Sequence, residues 1–179
     1  MFLENEVSDC KCSLLTSSKV VKKFNWFGNP DSGIVFLHAF EPREDIRKSS
    51  MKFIGEYNYT PETAYFMTSL GCIPKGFELS NSTTPFKICK EHNVRKKLLE
   101  LKPKVIVTEG LAIKTIVEDT YMKPEDFFNY QVMPSYFYSP EFQCWIAPIP
   151  ALSNFILSGF GDKKCKECRS PAELYVRYK

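Results

Sequence analysis

The sequence predicts an α/β protein: a three-layer sandwich with a largely parallel central sheet flanked by helices. Two observations carry that prediction. Short apolar runs rich in β-branched residues recur as "SGIVFLHAF" (32–40), "TAYFMTSLG" (63–71), "KVIVTEG" (104–110) and "FQCWIAPIP" (142–150). They are of strand length, and most lack the polar alternation of a half-exposed strand, as sheets covered on both faces require. Segments with helical signals, rather than hairpin turns, separate these runs, which is the pattern of a parallel sheet.

Each element has a local reason. The first run follows the turn residues of "GNPDSG", and the second ends at Gly71. In "NSTTPFKICKEHNVRKKLLELKP", Thr84 is a candidate N-cap and Pro85 takes the first helical position. Ile88, Leu98, Leu99 and Leu101 supply its apolar side chains and Pro103 stops it. "KVIVTEG" is then a strand, "GLAIKTIVEDT" a second helix, "FQCWIAPIP" a strand and "ALSNFILSGF" a short helix. Sites on such sheets lie outside the carboxyl ends of the strands. The loops there are "HAFEPRED", "TSLGCIPKG", "TEGLA" and "APIPALS".

The 179 residues suit one domain, expected over 1–160, with a basic, cysteine-bearing tail (161–179) packed on it. A net charge of +3 admits a nucleic-acid partner without arguing for one. Glu4, Glu6 and Asp9 interrupt the first residues, so no secretory leader is expected, and no apolar run reaches membrane-spanning length. The expectation is an intracellular monomer, cytoplasmic or nucleoid-associated, with no membrane contact. Structural disulfides are rare in that setting. Seven cysteines, an odd number, then favour metal or iron–sulfur ligation. Cys10, Cys12, Cys72 and Cys89 could supply four thiolates to tetrahedral zinc or to a 4Fe-4S cluster, and spacing alone does not separate the two. Buried, unligated thiols are the simpler alternative for Cys72 and Cys89. For Cys144, inside "FQCWIAP", a core position is expected.

The order of motifs resembles the iron–sulfur (family 4) class of uracil-DNA glycosylases. "CKCSL" stands where that family opens with a cysteine pair, and "PREDI" supplies the Glu-Asp that ends its motif loop. "KFIGEY" stands at its "PFvG" element, followed by "GCIPKG", "TPFKICKEH" and "LKPKVIVTEGLAIKTI". The resemblance covers about residues 10–118 well, 119–158 loosely, and not the tail. It implies a uracil-DNA glycosylase-like fold, a 4Fe-4S cluster (alternatively zinc) on Cys10, Cys12, Cys72 and Cys89, and DNA as partner. The family's first pair is Cys-x-x-Cys, whereas one residue separates Cys10 from Cys12, so Cys165 and Cys168 of "CKEC" are alternative ligands.

The resemblance also locates the chemistry. Such an enzyme flips a nucleotide into a pocket, stacks the base, reads its edge and stabilises the departing charge. His38 falls where the family carries its catalytic Glu, and Glu41 is a displaced candidate for the same acid. Phe53 keeps the stacking position. Thr68 and Ser69 occupy the place of a base-reading Asn, and Ile149 that of a late histidine. Among several basic clusters, Lys163, Lys164, Lys166 and Arg169 are the best candidates for phosphate contacts. Two functions follow. One is an iron–sulfur DNA glycosylase with altered base preference, and the other is a non-catalytic DNA-binding or replication and repair interaction module on the same fold. An unrelated zinc-stabilised α/β domain is the third alternative.

Overall fold

The computed structural model describes residues 3–6, 23–40, 48, 51–52, 54–55, 58–71, 84–117 and 136–149. Among them are seven strands: β1 (Leu3–Glu6), β2 (Lys23–Gly28), β3 (Ile34–His38), β4 (Tyr65–Thr68), β5 (Val105–Glu109), β6 (Phe137–Ser139) and β7 (Cys144–Ile149). Their spatial order is β1-β2-β4-β3-β5-β7-β6. The inner four, β4-β3-β5-β7, are parallel. β2 is antiparallel to β4, β6 is antiparallel to β7, and β1 pairs antiparallel with β2. The α/β expectation and the parallel core are met, and the antiparallel flanks β1, β2 and β6 are additions. Among the described residues, no helix is long and apolar enough to cross a membrane.

Burial explains why the inner runs are strands. Val35, Phe36 and Leu37 of β3, all of β4, and Val105 to Thr108 of β5 are buried on both faces. Their side chains alternate between two apolar clusters. Val35, Leu37, Tyr65, Met67, Ile106, Cys144 and Ile146 meet Phe86, Cys89, Val94 and Leu98 from the helices on one face. Phe36, Phe66, Val105, Val107, Ala147 and Ile149 meet Ile54 and Tyr59 on the other. Pro148 is tolerated in β7 because the β6 ladder reaches only to Ile146. Gly28 is dictated by close approach: at φ +111°, a Cβ there would stand 2.3 Å from the Ala64 carbonyl oxygen.

The helix after Thr84 is interrupted within one continuous run. Helix α1 (Thr84–Cys89) passes into a π-helical turn (Lys90–Val94) and then helix α2 (Arg95–Leu101). Lys102, left-handed at φ 46°, caps α2 ahead of Pro103, so the expected stop is found. The wider turn displaces the buried stripe by one position, to Phe86, Cys89, Lys90, Val94 and Leu98. Leu98 is therefore core, whereas Leu99 is 39% exposed. The second helix is shorter than expected. It is a 3-10 helix (Gly110–Thr115) that buries Ala112 and Ile113. The β-branched Ile113, Thr115, Ile116 and Val117 favour an α-helix only weakly. The proposed helix "ALSNFILSGF" and the 161–179 tail lie outside the described residues.

Lys90 is only 2% exposed, and its ammonium lies 2.6 Å from a Glu141 carboxylate oxygen; the other oxygen accepts from Arg95 Nε at 2.8 Å. The Lys90 ammonium also stands 5.6 Å over the Phe142 ring. This network ties the π-helical turn to the β6–β7 hairpin. Removing one partner of a buried pair costs more than replacing its buried charge with an apolar group of similar shape. Glu141→Gln should therefore destabilise the fold by roughly 2–4 kcal/mol, and Lys90→Met by about 1 kcal/mol or less. Urea unfolding of both variants checks this, and equal losses would contradict it.

Candidate functional site

The inner sheet has one point where its winding reverses. From β3 the chain passes to β4 on one side, then crosses to β5 and β7 on the other. In open α/β sheets, ligands bind at such a reversal, in the crevice outside the carboxyl ends of the two strands that flank it. Here those strands are β3, ending at His38, and β5, ending at Glu109.

The register brings four residues into one row at this edge. His38 is paired with Thr68, the Leu37–Thr108 pair sets His38 beside Glu109, and Glu109 is paired with Ile149. Strand alternation puts the His38 and Thr68 side chains on the face of Phe36 and Phe66. His38 Nδ1 is hydrogen-bonded to Glu109 Oε2, and the two side chains are 15% and 13% exposed. The imidazole lies nearly parallel to the Phe66 ring, at 6.3 Å and 16° between planes. Phe66 itself stacks on Phe36 at 5.3 Å and on Phe27 at 5.1 Å, so an aromatic floor runs beneath the histidine.

The neighbouring hydroxyls are distinctive. Thr68 and Ser69 are buried, and among the described residues neither side-chain oxygen has a hydrogen-bond partner. Their backbones are held firmly: Trp26 Nε1 donates to the Thr68 carbonyl at 3.2 Å, and Ser69 N–H donates to the His38 carbonyl at 2.7 Å. A buried hydroxyl left unsatisfied costs on the order of 1–3 kcal/mol. Thr68 and Ser69 are two of four such groups among the described residues, with Thr108 and Thr115. The Thr68 hydroxyl, on the same sheet face as the histidine–carboxylate pair, is suited to a polar ligand that enters from the crevice. The pair can exchange a proton with that ligand through imidazole, while the carboxylate fixes the ring's orientation.

Of the residues named from sequence, His38, Thr68 and Ser69 come together. Glu41, Phe53, Cys10, Cys12, Cys72, Cys165, Cys168, Lys163, Lys164, Lys166 and Arg169 lie outside the described residues. Ile54 and Gly55, next to Phe53, are helical, and Ile54 is buried against the aromatic face. His92 is exposed. Glu109 was not among the candidates. Its signal was present, since it is the acid that ends the apolar run "KVIVTEG", at the carboxyl end of a strand.

Among the cysteines, Cys89 and Cys144 are described, and both are buried. Cys89 shares an apolar cluster with Leu70, which precedes Cys72 by two residues in the chain. No group of three metal-binding side chains gathers among the described residues. Burial pushes the Cys144 thiol up to about 12, as expected for a core cysteine. Only the thiolate is alkylated, and at pH 8 that pKa leaves about one thiol in ten thousand ionised. Iodoacetamide at pH 8 should leave Cys144 unmodified in the folded protein and modify it in urea, as read by peptide mass spectrometry.

No protein-family model matches the chain, and no curated protein matches it significantly in sequence.

Proposed function

We propose that the chain is an iron–sulfur, DNA-directed hydrolase of the uracil-DNA glycosylase type, excising uracil or a modified pyrimidine by hydrolysis of its N-glycosidic bond. The observation that carries this reading is the His38–Glu109 pair at the winding reversal between β3 and β5. In the resemblance, His38, the last residue of β3, falls where the family keeps its catalytic acid. Glu109 returns a carboxylate to that point from the neighbouring strand.

The chemistry follows from the residues. The nucleotide leaves the duplex stack and its base enters the crevice. Water forms a bond to the sugar carbon as the carbon–nitrogen bond to the base breaks, and the base departs with the bonding electrons. His38 stabilises the negative charge that develops on the base and donates its proton to it, and the proton lost by the attacking water passes to solvent, from which the imidazole is reprotonated. Glu109 holds the imidazole in place and balances its charge. Thr68 hydrogen-bonds the base edge through its hydroxyl, with Ser69 following it in the chain.

The assay is release of base from single-stranded and duplex oligonucleotides carrying uracil or modified pyrimidines, detected as alkali-labile abasic sites. The wild-type chain should generate them. His38→Ala should lower the rate by about a hundredfold or more, and Glu109→Gln by about tenfold or more. A folded chain that binds DNA without forming abasic sites from any of these bases is a binding module instead, and the hydrolase reading fails.

In the same reading, Cys10, Cys12, Cys72 and Cys89 hold a 4Fe-4S cluster. Its support is the shared burial of Cys89 and Leu70. When bound, the cluster would cross-link α1 to the chain beyond β4 and contribute stability rather than chemistry. Protein purified anaerobically should be brown, with broad absorption in the visible violet, and Cys89→Ser should remove the colour. A colourless protein that retains zinc would replace the cluster with a zinc site.

A further inference from the structure

The row at the carboxyl ends of the inner strands runs Thr68, His38, Glu109, Ile149, and its two ends differ in chemistry. Ile149 stands at one end with a buried aliphatic side chain. Thr68 stands at the other with a hydroxyl. Alternation along β4 puts the Thr68 side chain on the face of Phe66, which is packed in an apolar cluster with Phe36.

That hydroxyl is fixed in place but not in polarity. The Thr68 carbonyl accepts from Trp26 Nε1 at 3.2 Å, and the next residue's N–H donates to the His38 carbonyl at 2.7 Å. The branched side chain has few rotamers. The O–H bond alone turns freely, so one oxygen serves as donor or as acceptor. Among the described residues it has no hydrogen-bond partner, and burial leaves it unfavourable until a ligand group meets it. A pyrimidine offers either a carbonyl or an amino group at carbon 4. A reader with a fixed donor or a fixed acceptor rejects one of the two, whereas a hydroxyl rejects neither.

We propose that Thr68 is the specificity-determining residue of the crevice: its hydroxyl meets the carbon-4 group of the flipped base and admits 4-oxo and 4-amino pyrimidines alike. This rests on the hydrolase reading and names its substrate class. Selection among the admitted bases then falls to how readily each departs with the bonding electrons, which favours an electron-withdrawing group at carbon 5. The ordinary cytosine of a duplex is disfavoured on two counts, since it leaves poorly and is held by its paired base.

Single-stranded oligonucleotides carrying 5-fluorouracil or 5-fluorocytosine test this, because the two bases differ only in the carbon-4 group and the adjacent ring proton, and neither is paired. The full chain should form alkali-labile sites from both. Thr68→Val and Thr68→Ala both remove the hydroxyl, the first while keeping the shape of the side chain. Each should lower kcat/KM by about tenfold, and by the same factor for the two bases to within about twofold. Thr68→Ser, which restores the hydroxyl, should return both rates to within about threefold of the wild type. Circular dichroism establishes that each variant is folded. Release of 5-fluorouracil with none of 5-fluorocytosine, a loss confined to one base, or unchanged rates in the folded variants would each overturn the proposal and leave the hydrolase reading standing. Abasic sites from neither base, nor from uracil, would overturn the hydrolase reading itself and this inference with it.

Discussion

β3 exchanges backbone hydrogen bonds with β4 on one side and β5 on the other, and both registers are locked by burial. Its three central residues are covered on both faces, so a slip of one residue would exchange Val35 and Leu37 with Phe36 between two differently shaped clusters. The same slip would carry His38 to the opposite face from Glu109. The candidate site therefore depends on the packing of the sheet, and not on any loop that could adjust independently. That dependence suits a polar site, because a histidine–carboxylate pair must keep its geometry to orient a proton.

The helical side of the sheet is shaped by a second constraint. The π-helical turn after Cys89 admits one extra residue, which brings Lys90 inward instead of out to water. A buried ammonium requires an opposing carboxylate, and Glu141 on the hairpin provides one. Through this contact the helix fixes the hairpin, and the hairpin's other face is left to present Tyr136, Tyr138 and Trp145. One irregular turn thus links the interior of the protein to an exposed surface some distance from it.

The elements differ in how plainly their residues announce them. β3, β4, β5 and β7 are legible because they are apolar over their whole length, and the turn and Pro103 signals bound them. β2 carries a period-two signal, with Phe24 and Trp26 buried, but it sits inside a basic stretch that obscures it. β1 is the polar "LENE" and, among the described residues, pairs with β2. Of the apolar residues read for the helix, Leu98 is core, Ile88 and Leu101 are half-buried and Leu99 is exposed, since a π-helical turn changes the period that sequence reading assumes. His38, Thr68 and Ser69 could be placed near one another from their strand ends, whereas Glu109 could not be joined to His38, 71 residues away.

The sequence by itself determined the class of the fold and the ends of its inner strands, because continuous apolar runs and turn residues act locally. It also determined that polar side chains would stand at those ends. Tertiary structure decided which of them meet. Strand order, register and the winding reversal between β3 and β5 are properties of pairing between distant segments. They alone set His38 against Glu109, buried Thr68 and Ser69, and turned Glu141 inward and Trp145 outward.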